Sequence, residues 1–134
     1  MKNITLDTNA YSGLNQGAIA VKQAIEAADN VFIPIFVLAE LLFGFKKGSR
    51  EHENIALFND FMKLPGVSFH IPTDETARIY ADIILDLKRQ GKPIPTHDIW
   101  IAASAVETGS VIITYDKHFL DIAQARVWDE LRQV

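Results

Sequence analysis

Short runs of β-forming residues alternate along this chain with stretches of helical periodicity, and that alternation restricts the fold more than any other feature. Runs rich in Val, Ile, Phe and Thr lie at 3–7, 31–33, 67–71 and 111–114, with a weaker fifth at 126–128. Helical patterns occupy the intervals at 18–28, 35–47 and 50–64, a fourth begins after Thr73, and a fifth runs from about 97 to 107. A strand, a returning helix and a second strand form the unit from which parallel sheets are built, so the expected class is α/β with a mainly parallel sheet.

Local punctuation supports these boundaries. Pro65-Gly66 stops the third helix, and Gly91-Lys92-Pro93-Ile94-Pro95 breaks the chain before the fifth. Thr73 is a natural N-cap, with Asp74 and Glu75 in the first turn where they suit the helix dipole. Ala77, Tyr80, Ala81 and Ile84 follow the spacing of a core-facing stripe. Thr96 is expected to cap the 97–107 helix, and a short helix is expected after Asp116.

The 134 residues are read as a single domain spanning 1–134, long enough to bury a real core. No apolar run approaches the roughly 20 residues of a membrane span, and the first residues turn polar too soon for a secretory signal. There is no cysteine, which excludes disulfides, thiolate metal sites and cysteine nucleophiles. A cytoplasmic location is the expectation. The net charge of −4 argues against a protein that grips nucleic acid by bulk charge, so any such contact must be local and metal-assisted.

Four carboxylates stand out. In a parallel sheet, strand ends and the starts of following helices share one edge, where α/β proteins bind ligands. Asp7 closes the first strand, Glu40 lies early in the helix after the second, Asp98 sits in the first turn of its helix, and Asp116 follows the 111–114 strand. Glu40 is the most telling alone. Its helical neighbours Phe36, Val37, Phe43 and Gly44 carry no charge, so it is expected to be desolvated at a cost unless something pairs with it. Asp7, Asp98 and Asp116 each have a plainer reading as helix caps or first-turn acids. Gathered on one edge, the four repel one another unless a hard divalent cation lies between them. Mg²⁺, with Mn²⁺ as a substitute, fits all-oxygen ligation and can activate water at a phosphodiester.

The ordered segments Leu6-Asp7-Thr8-Asn9, Leu38-Ala39-Glu40-Leu41-Leu42-Phe43-Gly44, His97-Asp98-Ile99-Trp100-Ile101-Ala102-Ala103 and Ile113-Thr114-Tyr115-Asp116-Lys117-His118-Phe119 span nearly the whole chain. Together they resemble the PIN-domain ribonucleases, in particular the VapC-like toxins of prokaryotic toxin–antitoxin pairs. The resemblance implies a three-layer α/β/α sandwich and Mg²⁺-dependent endonucleolytic cleavage of RNA. It assigns metal binding and catalysis to Asp7, Glu40, Asp98 and Asp116, a hydroxyl beside the metal to Thr114, and an amide steadying the first aspartate to Asn9. It further implies a VapB-like antitoxin and a homodimer. One departure is the run Pro34-Ile35-Phe36, where the family often has Ser.

Among the cations, Lys117 and His118 rank first as RNA contacts because they follow Asp116, with Lys46, Lys47 and Arg50 after the Glu40 helix and Lys88, Arg89 and Lys92 before the Asp98 helix. His52, His70 and His97 are expected to be structural or exposed, and Trp100 and Trp128 to be packing residues. A haloacid-dehalogenase-like phosphatase is disfavoured because its second aspartate is replaced by Asn9. An RNA-processing nuclease without an antitoxin, and an inert RNA- or protein-binding domain, are the alternatives. Four retained acids weigh against the inert domain.

Overall fold

The computed structural model describes residues 2–132. Five strands form one sheet in the order β3-β2-β1-β4-β5: β1 (Asn3–Leu6), β2 (Asn30–Pro34), β3 (Val67–His70), β4 (Val111–Ile113) and β5 (Arg126–Val127). Every neighbouring pair is parallel, so the sheet is wholly rather than mainly parallel. The connecting helices pack on the sheet, giving the α/β/α architecture expected from the sequence. They are α1 (Thr8–Asn15), α2 (Ile19–Ala27), α3 (Ile35–Lys47), α4 (Glu51–Met62), α5 (Asp74–Arg89), α6 (Thr96–Glu107) and the short α7 (Asp129–Arg132). A 3₁₀ turn, Lys117–Asp121, takes the place expected for a short helix after Asp116.

The central strands are covered on both faces, and even the polar Thr5 of β1 is fully buried. Ile4 and Leu6 on β1, Val31 and Ile33 on β2, and Ile112 and Ile113 on β4 are all buried, as helix cover on both sides requires. Val37 and Leu41 of α3 pack on this sheet, and α6 is the most deeply sunk helix, with Ile99, Ile101, Ala102, Ala103 and Ala105 all buried. Tyr11 of α1 meets Phe58 and Phe61 of α4 edge-on at 5.2 and 5.3 Å. Such pairs add about 0.5–1.5 kcal/mol each beyond area burial.

Several local expectations shift. Helix α1 is not announced by periodicity, because Thr8, Asn9, Ser12 and Gly13 are poor helix formers; it is begun by Asp7, which accepts the Ala10 N–H at 2.8 Å. Thr96 does not cap α6. It is the first helical residue, and Pro95 precedes it without a side-chain cap. On α5 the buried stripe runs through Thr76, Ile83 and Leu87, about one residue round from the expected Ala77–Ile84 face. Turning that way buries larger apolar side chains and exposes Ala77 and Ala81, which lose little by facing water.

The rotation of α5 also serves a polar cluster. Glu107, ending α6, accepts from the Thr73 hydroxyl at 3.0 Å and from the Thr76 hydroxyl, and lies 2.9 Å from His70 Nε2. Burial by itself would raise the Glu107 pKa, but the bonds from Thr76, Thr73 and His70 outweigh it and hold the carboxyl below its ordinary value. The cluster fastens β3, the start of α5 and the end of α6 together.

Candidate metal centre

Register builds the centre. Leu6 of β1 pairs with Ile113 of β4, so the next residues, Asp7 and Thr114, come side by side at the carboxyl end of the sheet. The Asp7 N–H donates to the Ile113 carbonyl at 3.3 Å, and the Thr114 hydroxyl donates to Asp7 Oδ2. The same hydroxyl oxygen accepts the Asp116 N–H at 2.9 Å. Thr114 is fully buried, and its carbonyl takes the Trp128 indole N–H at 2.6 Å. One threonine thus fixes two of the four acids, and a tryptophan fixes the threonine.

Asp98, in the first turn of α6, reaches the same place. His118 Nδ1 lies 3.3 Å from Asp98 Oδ2 and 3.2 Å from Asp116 Oδ1. Ligand atoms of Asp98, Asp116 and His118 all fall within 4.8 Å of one another. Asp7 is buried, and burial pushes its pKa up from 3.8 to about 6; hydrogen bonds from Thr114 and Ala10 oppose this, and the Asp116 and Asp98 charges add to it. Asp98 is raised as well, first by burial and then by Asp116, against the bond to His118. Raised carboxyl pKa values where like charges converge mark a candidate functional site.

Glu40 stands to one side. Its Oε1 accepts from the Thr8 hydroxyl at 2.5 Å and lies 2.6 Å from His97 Nε2, so it is tied to the residues next to Asp7 and Asp98 rather than to those aspartates. Its side chain is 47% exposed, and the expected desolvation does not occur. The reason is that α3, despite its apolar composition, buries only the Val37 and Leu41 face and leaves Phe43 largely in solvent.

Asn9 is exposed, and the bonds that steady Asp7 come from Ala10 and Thr114. Among the cations, Lys46 pairs with Glu51 at 3.0 Å and Lys47 lies 4.7 Å over the Phe43 ring. Arg50 pairs with Glu53 at 3.1 Å, while Lys117 opens the 3₁₀ turn beside His118. Trp100 packs between Tyr80 and Phe36, at 4.1 and 5.3 Å between ring centroids. Sequence reasoning missed His97 as a site residue. Its adjacency to Asp98 at a helix start was the available signal, but only the approach of α3 to α6 brings Glu40 to it.

The donor set suits a hard divalent cation. Asp98, Asp116 and His118 bring two carboxylates and a ring nitrogen within reach of one ion, Asp7 lies beside them through Thr114, and there is no thiol in the chain.

Comparison with known proteins identifies the family and the fold. The PIN domain family model matches residues 4–125. Ribonuclease VapC1 of Rickettsia felis is 31% identical over 112 residues, covering 83% of this chain and 83% of that protein. Ribonuclease VapC of Rickettsia bellii is 29% identical over 126 residues, covering 92% and 93%. Among solved structures, VapBC2 from Rickettsia felis bound to a DNA fragment from its promoter superposes with a TM-score of 0.83 at 20% identity, over 94% of this chain and 97% of that one. DNA-bound VapBC from Salmonella typhimurium gives 0.79 at 25% identity, over 96% and 98%.

Proposed function

This chain belongs to the PIN-domain family, and from that premise we propose that it is a divalent-metal-dependent endoribonuclease, the toxin of a toxin–antitoxin pair. The observation that carries this reading is the meeting of Asp7, Asp98 and Asp116 at one sheet edge, close enough for the charges of Asp116 and Asp98 to raise the pKa of Asp7. Relatives bearing the ribonuclease VapC name over most of their length support the reaction class. Neighbours solved as VapBC complexes support a small VapB-like antitoxin as partner.

In this reading Asp7, Asp98 and Asp116 hold Mg²⁺ or Mn²⁺, and Glu40 completes the set from the flank. When bound, the cation lowers the pKa of water and offsets charge on the phosphate. The chain's own residues supply positioning. Thr114 holds the Asp7 carboxylate and the Asp116 backbone N–H on one hydroxyl, and Thr8 and His97, the sequence neighbours of Asp7 and Asp98, hold the Glu40 carboxylate. His118 spans Asp98 and Asp116, and Lys117 lies beside it for phosphate contact. Water attacks phosphorus as the bond to the 3′ oxygen breaks, leaving 5′-phosphate and 3′-hydroxyl ends. A homodimer and a cytoplasmic location complete the proposal; among the described residues no helix is long and apolar enough to cross a membrane.

Purified chain should cut single-stranded RNA with Mg²⁺ or Mn²⁺ and stop in EDTA. Asp98→Asn should abolish cleavage, and it should largely remove the rise in melting temperature that Mg²⁺ gives the wild type through binding linkage. Robust cleavage in EDTA, or 2′,3′-cyclic phosphate ends, would overturn the mechanism. Expression alone should arrest growth, Asp7→Asn should relieve the arrest, and a small neighbouring reading frame should rescue it in trans. A harmless wild type with no co-purifying small protein would leave an RNA-processing nuclease.

A further inference from the structure

Beside the acidic edge lies a cavity that the metal centre does not use. It has a volume of about 470 Å³ and sits between the end of α5, the 90–95 connection and the start of α6. Ile84 and Leu87 of α5, Ile94 and Pro93 of the connection, and Ile99 of α6 form its apolar walls, with Thr96 adding a hydroxyl. Lys88 and Lys92 stand on its rim. A volume in this range is that of a small-ligand pocket, on the order of 300–1,000 Å³.

Its place relative to the acids is fixed by short connections. Ile99 adjoins Asp98 in the first turns of α6, a quarter turn round the helix. Lys92 lies 3.5 Å from Asp121, at the end of the 3₁₀ turn that Asp116 caps. Gln124 further ties the segment after that turn to Asp86 of α5 at 3.2 Å. The pocket is thus braced against the same turn that presents Asp116 and His118.

Two features select the occupant. Two lysines line an apolar cavity in a chain whose net charge is −4; Lys92 is paired with Asp121, and among the described residues Lys88 has no ion-pair partner. A ligand whose flat ring offers weakly polar faces to aliphatic walls and polar edges to Thr96, with an attached anion for Lys88, matches both, and a nucleotide of a single strand is such a ligand. Single-stranded RNA is commonly bound with bases splayed out of the stack and phosphates held by cations.

We infer that this pocket is a nucleotide subsite, holding one unstacked base of the RNA strand beside the cleaved bond, with Lys88 on the adjoining phosphate. The inference rests on the ribonuclease reading above and adds to it a binding position. Among the described residues no aromatic ring lines the pocket, so the base is held by the aliphatic walls, and Thr96, Lys88 and Lys92 are the lining side chains able to hydrogen-bond. Discrimination among bases is then by size and by contact with the Thr96 hydroxyl, the uncharged one of the three.

The test uses the intact chain in EDTA, so that RNA is bound and not cut, with a 12-nucleotide single strand carrying 4-thiouridine at successive positions. Crosslinks from one position should map to residues 84–99. Lys88→Gln should weaken binding about 5-fold near 0.1 M salt and reduce the slope of log affinity against log salt by about 0.7, the loss of one phosphate contact. Ile94→Trp, which fills the cavity, should abolish the crosslink and flatten any base preference at that position, and its melting curve checks folding. Lys88 is exposed on α5, so Lys88→Gln keeps the test valid if Ile94→Trp does not fold. Crosslinks that map elsewhere, with unchanged affinity and salt slope in Lys88→Gln, would overturn the subsite while metal-dependent cleavage by the wild type leaves the ribonuclease reading intact. Failure of the wild type both to bind and to cut RNA would overturn both.

Discussion

The Thr114 hydroxyl donates to the Asp7 carboxylate across 107 residues of sequence, and it does so because Leu6 and Ile113 pair in the parallel sheet. The two side chains are both buried, and the same hydroxyl accepts the Asp116 N–H. A carboxylate this deep depends on each hydrogen bond it accepts. Thr114→Val keeps the shape and deletes the bond, so it should destabilise the fold by about 1–3 kcal/mol through an under-satisfied buried group. Cleavage should fall at least tenfold as Asp7 and Asp116 lose their common support. Thr114→Ser restores the hydroxyl and should recover most of the cleavage; equal loss in Val and Ser would mean that the methyl group, not the hydroxyl, is what matters.

Asp7 itself carries a pH signature. Its pKa is about 6 folded against 3.8 ordinarily, so between those values the folded chain binds more protons than the unfolded one. Its contribution to stability therefore falls as pH rises through that window and reaches its full penalty above it. Two pKa units correspond to about 3 kcal/mol. Asp7→Asn should raise the metal-free melting temperature at pH 7.5, and the advantage should shrink to about a third near pH 4.5 and vanish only below the unfolded value of 3.8. An advantage that is the same at both pH values would show that Asp7 ionises normally in the fold.

Glu40 and His97 should behave as site residues with little bearing on stability. Glu40 is half exposed and His97 is about one-third exposed, so Glu40→Gln should change folding stability by less than about 0.5 kcal/mol, as is usual for surface changes. Cleavage should nevertheless drop sharply. His97→Phe frees Glu40 from its ring partner and should cause a smaller loss, with more metal needed for half-maximal rate. Wild-type cleavage by Glu40→Gln would remove Glu40 from the centre.

Glu107 predicts the opposite pattern. Three side chains converge on it, and bonds from Thr76, Thr73 and His70 hold its carboxyl below the ordinary value against the effect of burial. The stabilisation is present above the ordinary carboxylate range and is lost as pH falls through the lowered value. Glu107→Ala should cost about 1–3 kcal/mol by stranding these partners. Cleavage per folded molecule should stay unchanged, because the cluster lies at the other end of α6 from Asp98. A fall in cleavage with unaltered melting would contradict a purely structural role.

The class of fold was legible in the chain because strand and helix have different periods, and each run is long enough for its period to register. All five expected strands appear within a residue or two at each end, and α3 matches to the residue. The helices that escaped, α1 and α7, are short, and α1 begins at the Asp7 cap, where tertiary packing outweighs weak propensity. The face of α5 was misplaced for a related reason. Tyr80, Ala77 and Ala81 satisfy a helical spacing as well as Thr76, Ile83 and Leu87 do, and only the position of Glu107 and of the neighbouring helix decides between them.

At the centre, residue type and edge position were enough to name Asp7, Asp98 and Asp116, because any parallel sheet with these connections brings its strand ends to one side. Residue order and strand connections thus place these acids on one edge of the sheet and make them the candidate ligands of a cation. Only the tertiary structure decided how they are held. The register of β1 on β4 chose Thr114 as the donor to Asp7, the closeness of α3 to α6 gave Glu40 to His97, and the turn after β4 folded His118 back between Asp98 and Asp116. Those contacts join residues that are far apart along the chain, in segments whose own propensities say nothing of each other, so no local pattern encodes them and only packing brings them into reach.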